Sequence, residues 1–588
     1  MIVFGLLHIA LSSLIAYFLS CLAGHLNASI AAISLISSVF LSYYILNYES
    51  SDFLNLRLNA WRKSSIGIFE KIVFALICFI GFRHFLFLFY RVDNEVRSLH
   101  QFNLGDLPLH IQYIRNLAMG VDFPPHNPNF PSELLRYPFG IDLYNALWEA
   151  LGVVTSSHLF LVGIFCVLAS LVSLRLAGSW LAMVAFFFSG GFISLSTGGA
   201  LDVQRLLSWK NLFIAMFITQ RGFVWALPAG ILILYFLFLN ARRDMPIKGG
   251  ASAALHPRTL LIIGILWASL AFFHLHSFFI ISLMIGLLGL YRWYEHRKAA
   301  PGAIKKYFLL WVWPASIGTY FVLISLNFFK MQSVAHWHWG WTLEPEQNFL
   351  QFISVNFGTY LLLFAGVGVI IFMNKKKNFY FEYLVNLGIF ILFFNLILAP
   401  WDWDNVKVLV WPYLGLSILS FEILREFWTN WMQVVLLISL SYGGLYAISD
   451  SQFSVAHHIL LYKTADIALA KAATKEILPN AVFASSTNYD HELTALGRNR
   501  VMGYEAHLWA HGIQAQDTKQ KLVELMTGGE HWLERARELR VNYIYWGPRE
   551  KKEFVPLENG SSSSGPSWRG QLKNVSHIAD IEVYEVPL

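Results

Sequence analysis

Apolar runs of roughly twenty residues, each closed by a short polar break, fill the first three-quarters of the chain. They fall near 3–22, 27–46, 72–91, 156–175, 178–197, 224–240, 259–273, 277–292, 307–328, 349–373, 380–399, 408–424 and 431–448, which predicts about thirteen membrane helices. Backbone groups in hydrocarbon must be satisfied within their own segment, and runs without period-two alternation select helices over a β-barrel. The longest polar interruption is 102–155, where Asp106, His110, Arg115, His126, Arg136 and Tyr137 stand among stiffening prolines. We read it as an ordered active-site loop. From about residue 449 the pattern changes to the strand-like runs 481–486, 541–547 and 581–587, with helical segments around 465–477 and 515–540. The predicted organisation is a multi-spanning domain over 1–448 and a small α/β domain outside the membrane over 449–588.

Composition agrees: 56% of the 588 residues are hydrophobic and 14% charged. The net charge of +6 needs no nucleic-acid partner, because membrane proteins keep Lys and Arg in cytoplasmic loops. Four basic groups, at 57–71, 242–258, 292–306 and 375–377, fall on one side if the N-terminus is cytoplasmic. That holds only if 259–292 is two short helices broken near His274. Every unusual polar motif, and the tail, then lies on the opposite face. Cys21, Cys78 and Cys166 sit in apolar runs and are read as packing residues. The first apolar run lacks a basic leader and a small-residue cleavage site, and is read as a retained helix. No Walker loop, dinucleotide fingerprint, HExxH or nucleophile elbow is present, so ATP-driven chemistry is not indicated.

Asp106 sits just past the end of the third span, ahead of an interfacial helical stretch, where a carboxylate can cap the helix, take a proton from a hydroxyl or hold a divalent ion. Gln220 and Arg221 precede an apolar run, and Arg221 is flanked by bulky apolar residues that limit its escape to water; Asp202, Arg205 and Lys210 lie upstream. His274 and His276 stand alone in an apolar run, and at i and i+2 they share a site only at a turn. The loop 334–348 holds His336, His338, Trp337, Trp339 and Trp341, which suit sugar stacking or interfacial anchoring. Asp402 and Asp404, with Asn405 and Lys407, fill a short polar turn suited to a cation or to sugar hydroxyls.

GDLPLHIQYIRNLAMGVDFPPHNPNFPSELLRYPFGIDL (105–143), TQRGFVWALP (219–228), FHLHSF (273–278), PWDWDNVKVLVW (400–411) and NRVMGYEAHLWAHG (499–512) together resemble the GT-C class of polytopic glycosyltransferases, in a bacterial branch. The resemblance implies an inner-membrane enzyme with a periplasmic active site and tail. It would move a sugar from a polyprenyl-phosphate donor to an envelope glycan, lipid or protein. It makes Asp106 the general base, with His110, Arg221, His274, His276, Asp402 and Asp404 lining the cavity. Arg115, His126, Tyr137, Gln220 and Trp339 are further candidate contacts, and the tail, with Tyr504, His507, Trp509 and His511, would cover the site. The carboxylates on hand for a divalent cation, Mg or Mn, are Asp106, Asp402 and Asp404. The class often has two acidic residues in its first loop, where this chain has Gly105 and Asp106. Two rival readings are a lipid or glycan flippase, which predicts polar residues at mid-membrane, and a non-catalytic scaffold, for which Asp106 is expendable.

Overall fold

A computed structural model of the protein describes residues 1–47, 68–99, 102–178, 180–191, 208–239, 257–296, 323, 334–427, 429–453, 457–554 and 565–587. The expected span 307–328, apart from Leu323, lies outside them, as do Asp202, Arg205 and most of the basic loops.

The chain is mostly helical, and it is an integral membrane protein by the length and apolarity of those helices. Ile2–Ala23, Ala28–Asn47, Thr155–Ala177, Asp402–Leu424 and Val434–Ser451 are each able to cross a membrane on that measure. Arg221–Leu237, Thr259–Phe273, Leu275–Tyr291 and Phe379–Phe393 are shorter apolar helices. Among the described residues this gives five spans, or six with a bent pair, where the apolar runs predict about thirteen. That bent pair corrects one expected span: 349–373 is two helices, Phe349–Phe357 and Thr359–Met373, turned by 91°. The turn is at Gly358, whose φ of 49° and ψ of −127° suit a residue without a Cβ.

Polarity is reversed relative to a water-soluble protein, as lipid requires. Ile33, Phe40, Leu362 and Met373 face outward, while Ser12, Ser13, Ser34 and Ser38 are buried between helices. Ser38 Oγ, for example, bonds Ser12 Oγ at 2.7 Å and His8 Nδ1 at 2.8 Å, joining the first two helices. The expected break at His274 is present, between Pro257–Phe273 and Leu275–His296. Trp267 Nε1 donates to Ser282 Oγ at 2.8 Å, a contact fifteen residues along the chain that only a reversal allows.

The long polar interruption is ordered. A hairpin precedes it, Tyr90–Val92 and Glu95–Leu99, turning at Asp93 with φ 51°. The helix Asn103–Ala118 follows, then a small hairpin, His126–Asn127 with Phe130–Leu134, and the helix Gly140–Ala150. The strand His458–Lys463 pairs antiparallel with Glu95–Leu99, so the tail begins by completing a three-stranded sheet with the first loop.

The rest of the tail is built on a five-stranded sheet in the order Lys573–Ile578, Ile581–Glu585, Tyr543–Trp546, Val482–Ala484, Asn499–Arg500. The last three are mutually parallel and the first two antiparallel. Alternation along Tyr543–Trp546 sends Ile544 and Trp546 to one core, with Leu522, Leu525 and Trp568, and Tyr545 to the other, with Phe483 and Val583. The tail docks on the first loop through backbone acceptors. Gln112 Nε2 donates to the Arg498 carbonyl at 3.1 Å, and Asn116 Nδ2 donates to the Gly497 carbonyl at 2.8 Å and to Asn499 Oδ1 at 2.9 Å. Gly503 N–H reaches the Asn129 carbonyl at 2.8 Å.

Candidate active site

Asp106 sits in the first turn of Asn103–Ala118, partly buried. Its Oδ2 accepts from Gln220 Nε2 at 2.7 Å. Burial pushes its carboxyl above the ordinary aspartate range, against the pull of Lys407, His110 and Arg221. Gln220 precedes the helix Arg221–Leu234, which follows a π-helical turn at Phe213–Phe217. That helix starts close against the break at His274, since a Cβ at position 222 would lie 1.9 Å from the Phe273 carbonyl oxygen. Glycine is what the approach needs.

The geometry leaves donors without acceptors. Arg221 is only 4% exposed, and its Nε and Nη2 have no hydrogen-bond partner among the described residues. His274 Nε2 is buried without a partner as well. Its other nitrogen is committed: Nδ1 accepts from Ser277 N–H at 3.2 Å and lies 2.7 Å from Ser277 Oγ, which itself accepts from Trp411 Nε1 at 3.0 Å. With Nδ1 an acceptor, the ring proton belongs on Nε2. The His274 and His276 rings lie 5.8 Å apart.

On the far side of Asp106 the pattern is acidic. His110, one turn further along the same helix, places Nδ1 at 3.0 and 2.9 Å from the two oxygens of Asp142. His110 is 2% and Asp142 0% exposed. The Tyr137 ring lies 5.8 Å from His110 and 4.8 Å from His511, and burial next to Asp106 and Asp142 holds its hydroxyl protonated well beyond the usual range. His507 sits over Gly105, 3.3 Å from where a Cβ would be. Burial lowers His507 to about 4 and His511 to about 3, so both rings are neutral near pH 7. Asp404 is ion-paired with Lys407 at 2.9 Å, and both act electrostatically on Asp106. Asp106, His110, Tyr137, Gln220, Arg221, His274, His276, Asp404 and His507 are therefore brought into one neighbourhood.

The other candidates stand elsewhere. Arg115 is taken up by Glu149 at 3.2 Å, Thr155 at 3.1 Å and the Ala495 carbonyl. His126 is exposed on its hairpin, with Nδ1 2.7 Å from the Pro131 carbonyl oxygen. Asp402 holds a rim cluster, with His336 Nε2 at 3.0 Å and His338 Nδ1 at 3.7 Å. Trp339 is exposed and stacks on Phe349. Tyr504 touches His507 edge-on at 5.1 Å. Asp142 is the site residue that sequence reasoning passed over. The available signal was a lone carboxylate in the apolar run GIDLYNALW.

Among the described residues no three His, Cys, Asp or Glu side chains gather as a metal site. Asp106, Asp402 and Asp404 do not form such a group.

No protein-family model matches the chain, and no curated protein matches it. Among solved structures it is similar to the archaeal oligosaccharyltransferase AglB from Archaeoglobus fulgidus, in complex with an inhibitory peptide and a dolichol-phosphate. The identity is 14% over 81% of this chain and 69% of that one, with a TM-score of 0.39. The oligosaccharyltransferase of the same organism in its apo form gives 12% identity over 83% and 70%, with a TM-score of 0.44. Superpositions this loose decide nothing about the reaction, which the side chains have to carry.

Proposed function

We propose that the protein is a membrane glycosyltransferase that moves a sugar from a polyprenyl-phosphate donor to an acceptor hydroxyl, with Asp106 as general base. The observation that carries this reading is the juxtaposition of a held carboxylate with orphaned donors. Gln220 bonds Asp106, and the next residue, Arg221, has buried N–H groups with no acceptor among the described residues. A buried guanidinium without an acceptor costs several kcal/mol unless a ligand supplies one, and a phosphate oxygen is such an acceptor.

In the proposed step Asp106 takes the proton of the acceptor hydroxyl while that oxygen bonds the anomeric carbon. The bond from that carbon to the phosphate oxygen breaks, and its electron pair leaves on the polyprenyl phosphate. Arg221 and His274 Nε2–H meet the charge that builds there. His507, over Gly105, and His511, against Tyr137, are both neutral and close the cavity from the tail. A non-cytoplasmic site, with the N-terminus cytoplasmic, belongs to the same proposal, as does an inner-membrane location.

The test is transfer of radiolabelled sugar from a panel of polyprenyl-phosphate donors to endogenous acceptors, in membranes holding wild type or Asp106→Asn at equal folded amounts. Transfer by wild type and its loss in the variant are expected. Equal transfer would remove Asp106 from the mechanism, and no transfer from any donor by wild type would overturn the reading in favour of transport or scaffolding.

A further inference from the structure

Two histidines of the site are held in opposite ways. His274 accepts at Nδ1 and so presents a proton at Nε2. His110 has its Nδ1 within 3.0 Å of both oxygens of a carboxylate, so Nδ1 must donate. Its Nε2 makes no hydrogen bond among the described residues and is left as a lone-pair acceptor. Arg221 interacts electrostatically with both Asp142 and Asp106. The other titratable groups packed on His110 are Asp106 and Tyr113 from its own helix, Tyr137 ahead of the Asp142 helix, and His507 and His511 from the tail.

A base that has taken the acceptor proton must give it up before the next turnover. While product fills the cavity, that proton needs an acceptor within the protein. We infer that Asp142 is a positioning residue: it fixes His110 as the tautomer whose Nε2 accepts the proton Asp106 has removed, and it stabilises the imidazolium that results. The proton moves from the Asp106 carboxyl to His110 Nε2, which holds it until product release opens the cavity, with no change in the other bonds of the ring. The inference rests on the reading of Asp106 as base.

The test adds Asp142→Asn, Asp142→Glu, His110→Gln and the double variant Asp142→Asn with His110→Gln to the transfer assay. Asparagine can offer its amide donor to Nδ1 and select the wrong tautomer. Asp142→Asn and His110→Gln are each expected to lower kcat by roughly a hundredfold or more with little change in the donor KM. The double variant should be no worse than the poorer single one, and Asp142→Glu should recover part of the rate. Thermal unfolding in detergent checks each variant. Should Asp142→Asn fail to fold, the kcat of His110→Gln and of Asp142→Glu still decides. Wild-type kcat in Asp142→Asn or in His110→Gln, effects that multiply, or a loss carried by KM alone would overturn the inference. Full activity of Asp142→Asn beside a dead Asp106→Asn sinks only this proposal, whereas an active Asp106→Asn sinks the glycosyltransferase mechanism with it.

Discussion

At the scale of single residues the site trades stability for unsatisfied chemistry. Arg221 is buried with two nitrogens unpartnered among the described residues, so removing its charge should relieve the fold. Arg221→Met is expected to keep or raise the unfolding temperature while transfer falls at least tenfold, measured by scanning fluorimetry beside the sugar-transfer assay. A purely structural arginine would give the reverse, a lowered temperature. Asp106 makes a second prediction. Its carboxyl is raised by burial and a base works only when deprotonated, so the acid limb of the kcat profile should lie above the ordinary aspartate value of 3.8. Gln220→Ala removes the hydrogen bond that favours the charged form and should move that limb further up, as read from rates across pH. Residue types announced part of this. Asp106, Arg221 and the His pair were legible because charge in apolar surroundings is conspicuous. The partner of His110 was not, since Asp142 lies 32 residues away and only tertiary packing brings the two together.

At the scale of elements, apolar runs gave most helix positions, because twenty apolar residues have one stable conformation in lipid. They hid the right-angled break at Gly358, where apolarity continues straight across the bend. They also hid the hairpin 90–99 and the strand 458–463, which are too short and too charged to stand out from a loop. The sheet of the tail was visible in three of its five strands. It depends on a buried carboxylate: Glu550 accepts from His491 Nε2 at 2.8 Å, Ser486 N–H at 2.9 Å and Gly547 N–H at 3.0 Å. Burial alone would raise its carboxyl, but His491 and the backbone donors bring it from 4.5 down to about 2. A folded value below the unfolded one stabilises the tail above about pH 4.5, and that contribution drains away as pH falls towards about 2. Glu550→Gln should cost about 3 kcal/mol near neutral pH and flatten the acid dependence. Hydrogen exchange of the Tyr543–Trp546 and Val482–Ala484 amides would show faster opening. Unchanged protection would mean the pair carries little of the sheet's stability.

At the scale of the molecule, the site is a joint product of the membrane helices, the first loop and the tail. Their seam is tight at Gly497, which has φ 78° and would place a Cβ 2.6 Å from the Asn116 backbone nitrogen. Gly497→Ala faces both a left-handed backbone and a collision. It is expected to loosen the tail, seen as faster limited proteolysis beyond the last membrane helix, and to cut transfer at least tenfold while the membrane helices stay folded. Little of this seam could be read from the sequence, because most of its acceptors are backbone carbonyls that any residue supplies.

The pairing of Glu95–Leu99 with His458–Lys463 has a consequence in time. A ribosome adding 5 to 20 residues each second leaves the hairpin edge waiting roughly 20 to 70 s for its partner strand. During that interval the edge is open to any other strand, and the charges of Glu95 and Arg97 along it are the usual guard against such strangers. The charges that made the hairpin look like loop in the sequence are what let it wait.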